Sequence, residues 1–335
     1  MMHKTRKLNI IRKVYYYYLP FFIKYPLDNL SQYIRRSWKS YHAKPFCSEF
    51  PINVEIETAG FCNASCIFCP YTVTRKNSSQ NFMDLQVFKK VIDECANFKV
   101  ENIYLTLMNE PLLDKRIGEL IRYAKEKCKS SRVAINTNAS MLDKEMASAI
   151  LDSGLDHITF SIHGWTNNTL KKVSGMDYNL IINNISNFIN YSRSYDVSIG
   201  ICCLKTRYFT KFDYLSGQKF CKYNNLPYVL LSPANRSGNL DEKLICQLNV
   251  RRYNKKIIRR CTLEDRPFTM MSILWDGDVV SCCNDWKKEN VLGNVKEESL
   301  LEIWRGEKYQ DFRGKIYNQK PSGVGFICKR CSESI

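Results

Sequence analysis

The sequence predicts an α/β protein: a parallel sheet with helices outside it, followed by a small cysteine-bearing domain. Two observations carry this. Between residues 51 and 240, β-rich segments alternate with helical ones in six strand–helix units, and such alternation builds a parallel sheet with helical crossovers. Beyond residue 261 the alternation stops, and cysteines recur among turn residues as far as Cys331. A length of 335 residues suits one large domain plus a smaller one. The expected divisions are an extension over 1–50, the α/β core over 51–240, a linker over 241–260 and the cysteine domain over 261–335. The linker is basic, with Arg251, Arg252, Lys255, Lys256, Arg259 and Arg260.

The core elements follow in order. Val54-Glu55-Ile56-Glu57-Thr58 alternates as a strand. Later strands are expected at Ile103–Leu107, Val133–Asn136, His157–Ile162, Val197–Leu204 and Tyr228–Ser232. Helices are expected between them, at Met83–Phe98, Arg116–Lys127, Asp143–Asp152, Asn179–Ser192 and Lys211–Tyr223. Leu274 to Cys283 reads as a hairpin with an Asp276-Gly277 turn, and Ser299–Trp304 opens an amphipathic helix.

The net charge of +17 is uneven: residues 1–48 hold ten Lys and Arg against Asp28 alone. The same stretch contains the aromatic run from Tyr15 to Ile23, broken by Pro20 and too short for a bilayer, which takes about 20 apolar residues. Three readings stand for it: a helix over the open edge of the core, peripheral contact with an anionic membrane, and attraction to nucleic acid. Nothing sequence-specific supports the last. There are fifteen cysteines and no visible secretory signal, so the reading is a reducing cytoplasm with metal-bound thiols.

Cys62-x3-Cys66-x2-Cys69 follows the first strand directly. Three thiolates so spaced hold three irons of a [4Fe–4S] cube and leave the fourth open; a zinc knuckle or three unrelated thiols are the plainer readings. With Phe68 just before the third cysteine, the run resembles the signature of the radical S-adenosylmethionine (radical SAM) enzymes. That resemblance implies a partial (β/α)6 TIM-like barrel, with the chemistry at the C-terminal strand ends. It also implies a SAM molecule chelated at the open iron. A reduced cluster then cleaves SAM to methionine and a 5′-deoxyadenosyl radical, and a flavodoxin- or ferredoxin-type partner supplies the electron.

Further segments match that family. Met108-Asn109-Glu110-Pro111 is similar to its GGEP segment, with both glycines replaced, and Asn136-Thr137-Asn138 is similar to its TNG turn. The resemblance assigns Phe68, Asn109, Glu110, Pro111, Asn138 and Ser161 to the cofactor. Asn235 and Arg236 are candidates for the SAM carboxylate or for an anionic small-molecule substrate, with solvated loop residues as the plainer reading. His163 is a candidate for proton transfer, or a hydrogen-bonded structural histidine. Cys202 and Cys203 are adjacent on the fifth strand, so one of them faces the barrel interior.

At the C-terminus, Cys261-x15-Gly277-x4-Cys282 and Cys328-x2-Cys331 resemble the SPASM/twitch extension of radical SAM enzymes. The cysteine count implies one auxiliary [4Fe–4S] cluster held by Cys261, Cys282, Cys328 and Cys331. Cys283 competes with Cys282 for that role, and spacing alone leaves a four-cysteine zinc site open.

Three functions compete. The first is oxidation of an alcohol in a small polyol or carbohydrate, with the auxiliary cluster taking the electron. Epimerisation is its variant, with Cys202, Cys203 or Cys283 returning a hydrogen atom. The second is modification of a ribosomal peptide. The third is a non-catalytic iron–sulfur or RNA-bound protein.

Overall fold

The computed structural model describes residues 47–74, 81–240, 242–248, 250, 252–261, 263 and 266–334. The basic aromatic extension lies outside the described residues, as do the side chain of Cys246 and part of the linker.

Six parallel strands follow the predicted alternation: β1 (Asn53–Ile56), β2 (Asn102–Tyr104), β3 (Arg132–Thr137), β4 (His157–Ser161), β5 (Ser198–Leu204) and β6 (Tyr228–Leu231). Between them run α1 (Tyr71–Thr74), α2 (Leu85–Ala96), α3 (Ile117–Lys127), α4 (Lys144–Asp152), α5 (Asn167–Ser174), α6 (Tyr178–Tyr191) and α7 (Lys211–Tyr223). Side-chain caps set the starts of five of these. Asp84, Asp143 and Asp177 accept amide hydrogens at α2, α4 and α6, and Thr210 forms a capping box with Asp213 at α7. Helix α5 was not anticipated, although Thr166 caps its start and Gly175 its end.

The sheet order is β6-β5-β4-β3-β2-β1-β7-β8-β9. Strand β6 is an edge, so the sheet stays open like a partial barrel. One face of the parallel strands is apolar: Val54, Ile103, Val133, Ile135, Ile158, Phe160 and Ile201 are fully buried under the helices. Each such side chain contributes about 1.5–3 kcal/mol.

The cysteine-bearing region contains α8 (Glu242–Leu248), α9 (Arg266–Thr269), β7 (Met270–Ile273), β8 (Asp278–Val280), β9 (Val291–Asn294), α10 (Leu300–Arg305), α11 (Glu307–Ile316) and α12 (Ile327–Arg330). The predicted hairpin turn is present, with Gly277 at φ +91°, but the first arm lies at Met270–Ile273, ahead of the expected Leu274. Its first arm does more than pair with the second. Strand β7 lies parallel to β1, with Asn53 opposite Met270 and Ile56 opposite Ile273. The expected separation of barrel and cysteine domain is therefore bridged by one continuous sheet, and residues 47–335 form one compact unit.

Candidate active site and auxiliary cluster site

The three-cysteine loop leaves β1 and is pinned on both sides. Ser65 and Ile67 donate backbone hydrogen bonds to Ser174 and Val173 at the end of α5 (both 2.9 Å), and Glu110 donates its backbone N–H to Phe61 (3.1 Å). Phe68, Val173, Leu204, Leu240 and Leu248 form the apolar wall beside Cys66 and Cys69, so α8 helps to cover the loop. On the other side, Cys62 and Cys69 pack against a cluster that contains Leu274, Val280 and Trp286 from the C-terminal region.

These thiols share one environment. Burial, and then the charge of Glu110, pushes the Cys62 thiol up to about 12, and Cys66 is also raised by burial and by its neighbours Cys69 and Cys62. Buried thiols of this kind lose their protons only to a compensating cation. Ala64 N–H donates to Cys62 Sγ at 3.4 Å. The same arrangement, a sulfur accepting from the amide two residues on, recurs at Cys282 (from Asn284, 3.4 Å) and Cys331 (from Glu333, 3.3 Å). Amides aimed at sulfur stabilise thiolate, and hydrogen bonds to the sulfurs tune a cluster. Both cysteine sets therefore fit iron–sulfur ligation.

Cys261, Cys282, Cys328 and Cys331 line one largely apolar cavity together with Leu263, Phe312, Ile316 and Ile327. Cys283 is not among its lining residues; its charged neighbours are Arg266, Glu55 and Arg236. Of the two adjacent thiols, only Cys282 lines the cavity. Among the described residues no three His, Cys, Asp or Glu side chains converge tightly enough for a single metal ion. A cube spreads its ligands over separate irons and needs no such convergence.

The remaining candidates fall into two groups. Several are used up in building the site. Glu110 accepts from Thr137 Oγ1 (2.5 Å), Asn138 N (2.7 Å) and Leu112 N (3.2 Å), and burial still pushes its carboxyl up to about 7. It ties the end of β2 to the end of β3, with Pro111 starting the short turn that follows. Asn138 bonds Asn63 and Ser140 through its amide. Asn235 holds a backbone turn to Arg330 and Ser332. His163 accepts from Leu204 N–H at Nδ1 (3.1 Å) and meets Phe68 edge-on at 4.6 Å. Burial, and then the positive charge of Arg236, lowers it to about 3. It is thus a neutral, fixed imidazole, and of the two readings taken from sequence the geometry favours the hydrogen-bonded structural histidine over the proton carrier. Cys203 is corrected: it is fully buried on the helix side, near Tyr228 and Cys221.

The other candidates stay open to the interior. Asn109 accepts from Leu107 N (3.0 Å), but its buried Nδ2 has no partner, an orphaned donor at the strand end where the resemblance places SAM. Ser161 and Cys202 are register partners on β4 and β5 and are half-buried on the interior face. Burial pushes the Cys202 thiol up to about 11.

Sequence reasoning missed the layers beneath them. Glu55, Tyr104, Ala134, His157 and Ser198 are in register across β1 to β5, and Asn136 pairs with Thr159 in the next layer. His157 bonds Ser198 Oγ (2.8 Å) and Thr159 Oγ1 (2.9 Å). Such positions usually carry bulky branched residues that fill a barrel; here most are polar. The signal was the odd-residue alternation in His157-Ile158-Thr159-Phe160-Ser161.

Residues 56–208 match the family model described as the radical SAM superfamily, and residues 261–332 match that of the SPASM iron–sulfur cluster-binding domain. The chain thus joins a radical SAM domain to a SPASM domain. Two iron–sulfur clusters and SAM are the cofactors of this domain pair, and the chain is a radical SAM enzyme. It is 21% identical over 280 residues to an S-adenosyl-L-methionine-dependent 2-deoxy-scyllo-inosamine dehydrogenase of Niallia circulans, covering 83% of this chain and 92% of that protein. Among solved structures it is similar to BtrN in complex with AdoMet and 2-DOIA, with a TM-score of 0.56, 19% identity and coverage of 86% and 94%. It is also similar to Streptococcus suis SuiB bound to the precursor peptide SuiA, with a TM-score of 0.64, 16% identity and coverage of 91% and 74%. These structural likenesses are likenesses of fold. No helix among the described residues is long and apolar enough to cross a membrane.

Proposed function

We propose that this radical SAM enzyme oxidises an alcohol carbon of a small polyol or carbohydrate to a ketone. The observation that carries the reading is the polar interior of the sheet: Asn136, Thr159 and Ser161 lie on the interior face of β3 and β4, above the mutually bonded His157 and Ser198. A substrate rich in hydroxyls suits such a lining, whereas an apolar one gains no hydrogen bond from it. The likeness to a dehydrogenase of an aminocyclitol over most of both chains supports the same class.

We assign Cys62, Cys66 and Cys69 to the SAM-binding cluster and Cys261, Cys282, Cys328 and Cys331 to the auxiliary one. When bound, these groups supply the radical that removes hydrogen and a sink for the electron left over by alcohol oxidation. The chain's own part is enclosure and placement. Phe68, Leu204, Leu240 and Leu248 exclude water beside the first cysteine loop. Asn109 Nδ2 offers its free donor to SAM, and the interior hydroxyls orient the substrate.

Epimerisation is the second reading, and Cys202 favours it. Its interior thiol, raised to about 11, keeps its hydrogen at neutral pH. The test is anaerobic turnover with dithionite, SAM and a panel of neutral, amino and phosphorylated polyols. A ketone formed with stoichiometric 5′-deoxyadenosine supports oxidation. An inverted alcohol carrying solvent deuterium, lost in Cys202→Ser, supports epimerisation. S-adenosylhomocysteine as the sole SAM product overturns both.

A further inference from the structure

Just beyond β6 the backbone does something that a non-glycine sequence resists. Arg236, Ser237 and Gly238 have φ of +50°, +55° and +77° in succession. For residues with a Cβ this region costs about 1–2 kcal/mol each, and such strain persists only where neighbours over-determine it. They do so here. Asn235 Oδ1 accepts from Ser237 N (3.1 Å) and Ser332 N (2.9 Å), and its Nδ2 donates to Arg330 O (2.6 Å). Asn239 Nδ2 donates to Arg236 O (3.0 Å) and Asn284 O (2.7 Å). Arg330 and Ser332 flank Cys331, and Asn284 follows Cys283. The loops of the auxiliary site therefore clamp the turn.

The clamp fixes the backbone of Arg236 at the mouth of the sheet, against the auxiliary loop. Its positive charge is felt at Cys66, His163, Cys202 and Cys283, which places it near the first cysteine loop and the exit of β5. No hydrogen bond or ion pair joins its guanidinium to another described residue. The nearby carboxylates are committed elsewhere. Glu110 serves Thr137 and Asn138, and Glu55 holds Arg266 at 2.8 Å on both oxygens. Arginine keeps its charge at any working pH and carries five donors in a planar fork that matches oxyanions.

We propose that Arg236 is a specificity residue that binds an oxyanion, phosphate or carboxylate, carried by the substrate in this chamber. The proposal rests on the reading of the chamber as the site of a polar small molecule. A phosphorylated or acidic polyol places its charge on Arg236 in a bidentate pair while its hydroxyls meet the interior of β3 and β4. The competing source of the same chemistry is the carboxylate of SAM.

The test compares the anaerobic, cluster-loaded parent with Arg236→Gln and Arg236→Lys. Iron content and circular dichroism confirm that each is folded. SAM binding is titrated by the electron paramagnetic resonance of the reduced cluster. Inorganic phosphate and acetate are then titrated calorimetrically into the SAM-loaded enzyme. Expected are one site for at least one anion, weakened tenfold or more in Arg236→Gln and less in Arg236→Lys, and SAM affinity unchanged within about twofold. The proposal is overturned if neither anion binds the parent, if Arg236→Gln binds both as the parent does, or if it weakens SAM tenfold. The readout is binding, so it stands apart from turnover. A chamber that holds the anion yet forms no ketone refutes the oxidation reading and leaves Arg236 in place.

Discussion

At the scale of residues, burial and hydrogen bonding assign roles that residue type leaves open. His163 illustrates this. Its value of about 3 lies far below the ordinary 6.5, so an unfolded chain takes up a proton that the folded one refuses. The stability from this residue is complete above about pH 6.5 and is lost as pH falls toward 3. At pH 5 the linkage amounts to about 2 kcal/mol. His163→Gln keeps an acceptor for Leu204 N–H but has no such titration. In urea unfolding at pH 7 and 5, the parent should lose about 2 kcal/mol more than the variant between the two conditions. Equal losses would show that His163 is not held neutral. Cys282 and Cys283 give a second test. Cys282→Ala should remove about four irons and Cys283→Ala none, because only Cys282 lines the four-cysteine cavity and accepts an amide hydrogen. Matching iron losses in the two variants would contradict the assignment.

At the scale of elements, the hairpin of β7 and β8 is joined to the first cysteine loop by contact as well as by the sheet. A Cβ on Gly60 would lie 2.3 Å from Trp275 Nε1. That approach leaves no room for a side chain at residue 60, two positions before Cys62. Gly60→Ala should therefore destabilise the protein by about 1–3 kcal/mol through overpacking. Adding Trp275→Ala should recover part of that loss, because the clash disappears with the indole. Thermal melts of the two single variants and the double form a cycle. Strict additivity would mean that the contact carries no coupling. The local devices were readable in advance: Asp143 before α4, the Thr210/Asp213 pair before α7 and the Ser299/Glu302 pair before α10 are short-range patterns. Their signal needs no knowledge of distant chain.

At the scale of the whole molecule, two cysteine sets share one compact unit, yet their roles should separate. Cys62, Cys66 and Cys69 changed together to Ala should abolish 5′-deoxyadenosine formation and remove about half of roughly eight irons. Changing Cys328 and Cys331 should leave SAM cleavage measurable and stop net substrate oxidation. Loss of a structural metal site also threatens folding, and β7 makes that risk larger here, since it pairs along the whole of β1. Circular dichroism must therefore show that the second variant is folded. A folded variant that oxidised substrate at the parent rate would remove the electron-acceptor role.

The parallel strands, most of their helices and the two cysteine sets were legible in the linear chain because each depends on local period or spacing. His157 to Ser161 alternates, and Cys62 to Cys69 spans one loop. What sequence alone left open were the questions that needed a partner from elsewhere. Side-chain alternation guaranteed that Cys202 and Cys203 face opposite ways, but only packing against Cys221 and Tyr228 decided that Cys203 is the one turned outward. Asn235 and Arg236 both looked like ligands of an anion. Tertiary hydrogen bonds to Arg330 and Ser332 made Asn235 a clamp, while the Arg236 guanidinium has no hydrogen bond or ion pair among the described residues. The Asp276-Gly277 turn was expected, but the arm that enters it, β7, lies before the expected hairpin and has β1 as its second neighbour, more than two hundred residues earlier. Propensity and spacing are properties of a few adjacent residues. Partner choice, burial and charge compensation are sums over groups that only folding brings together.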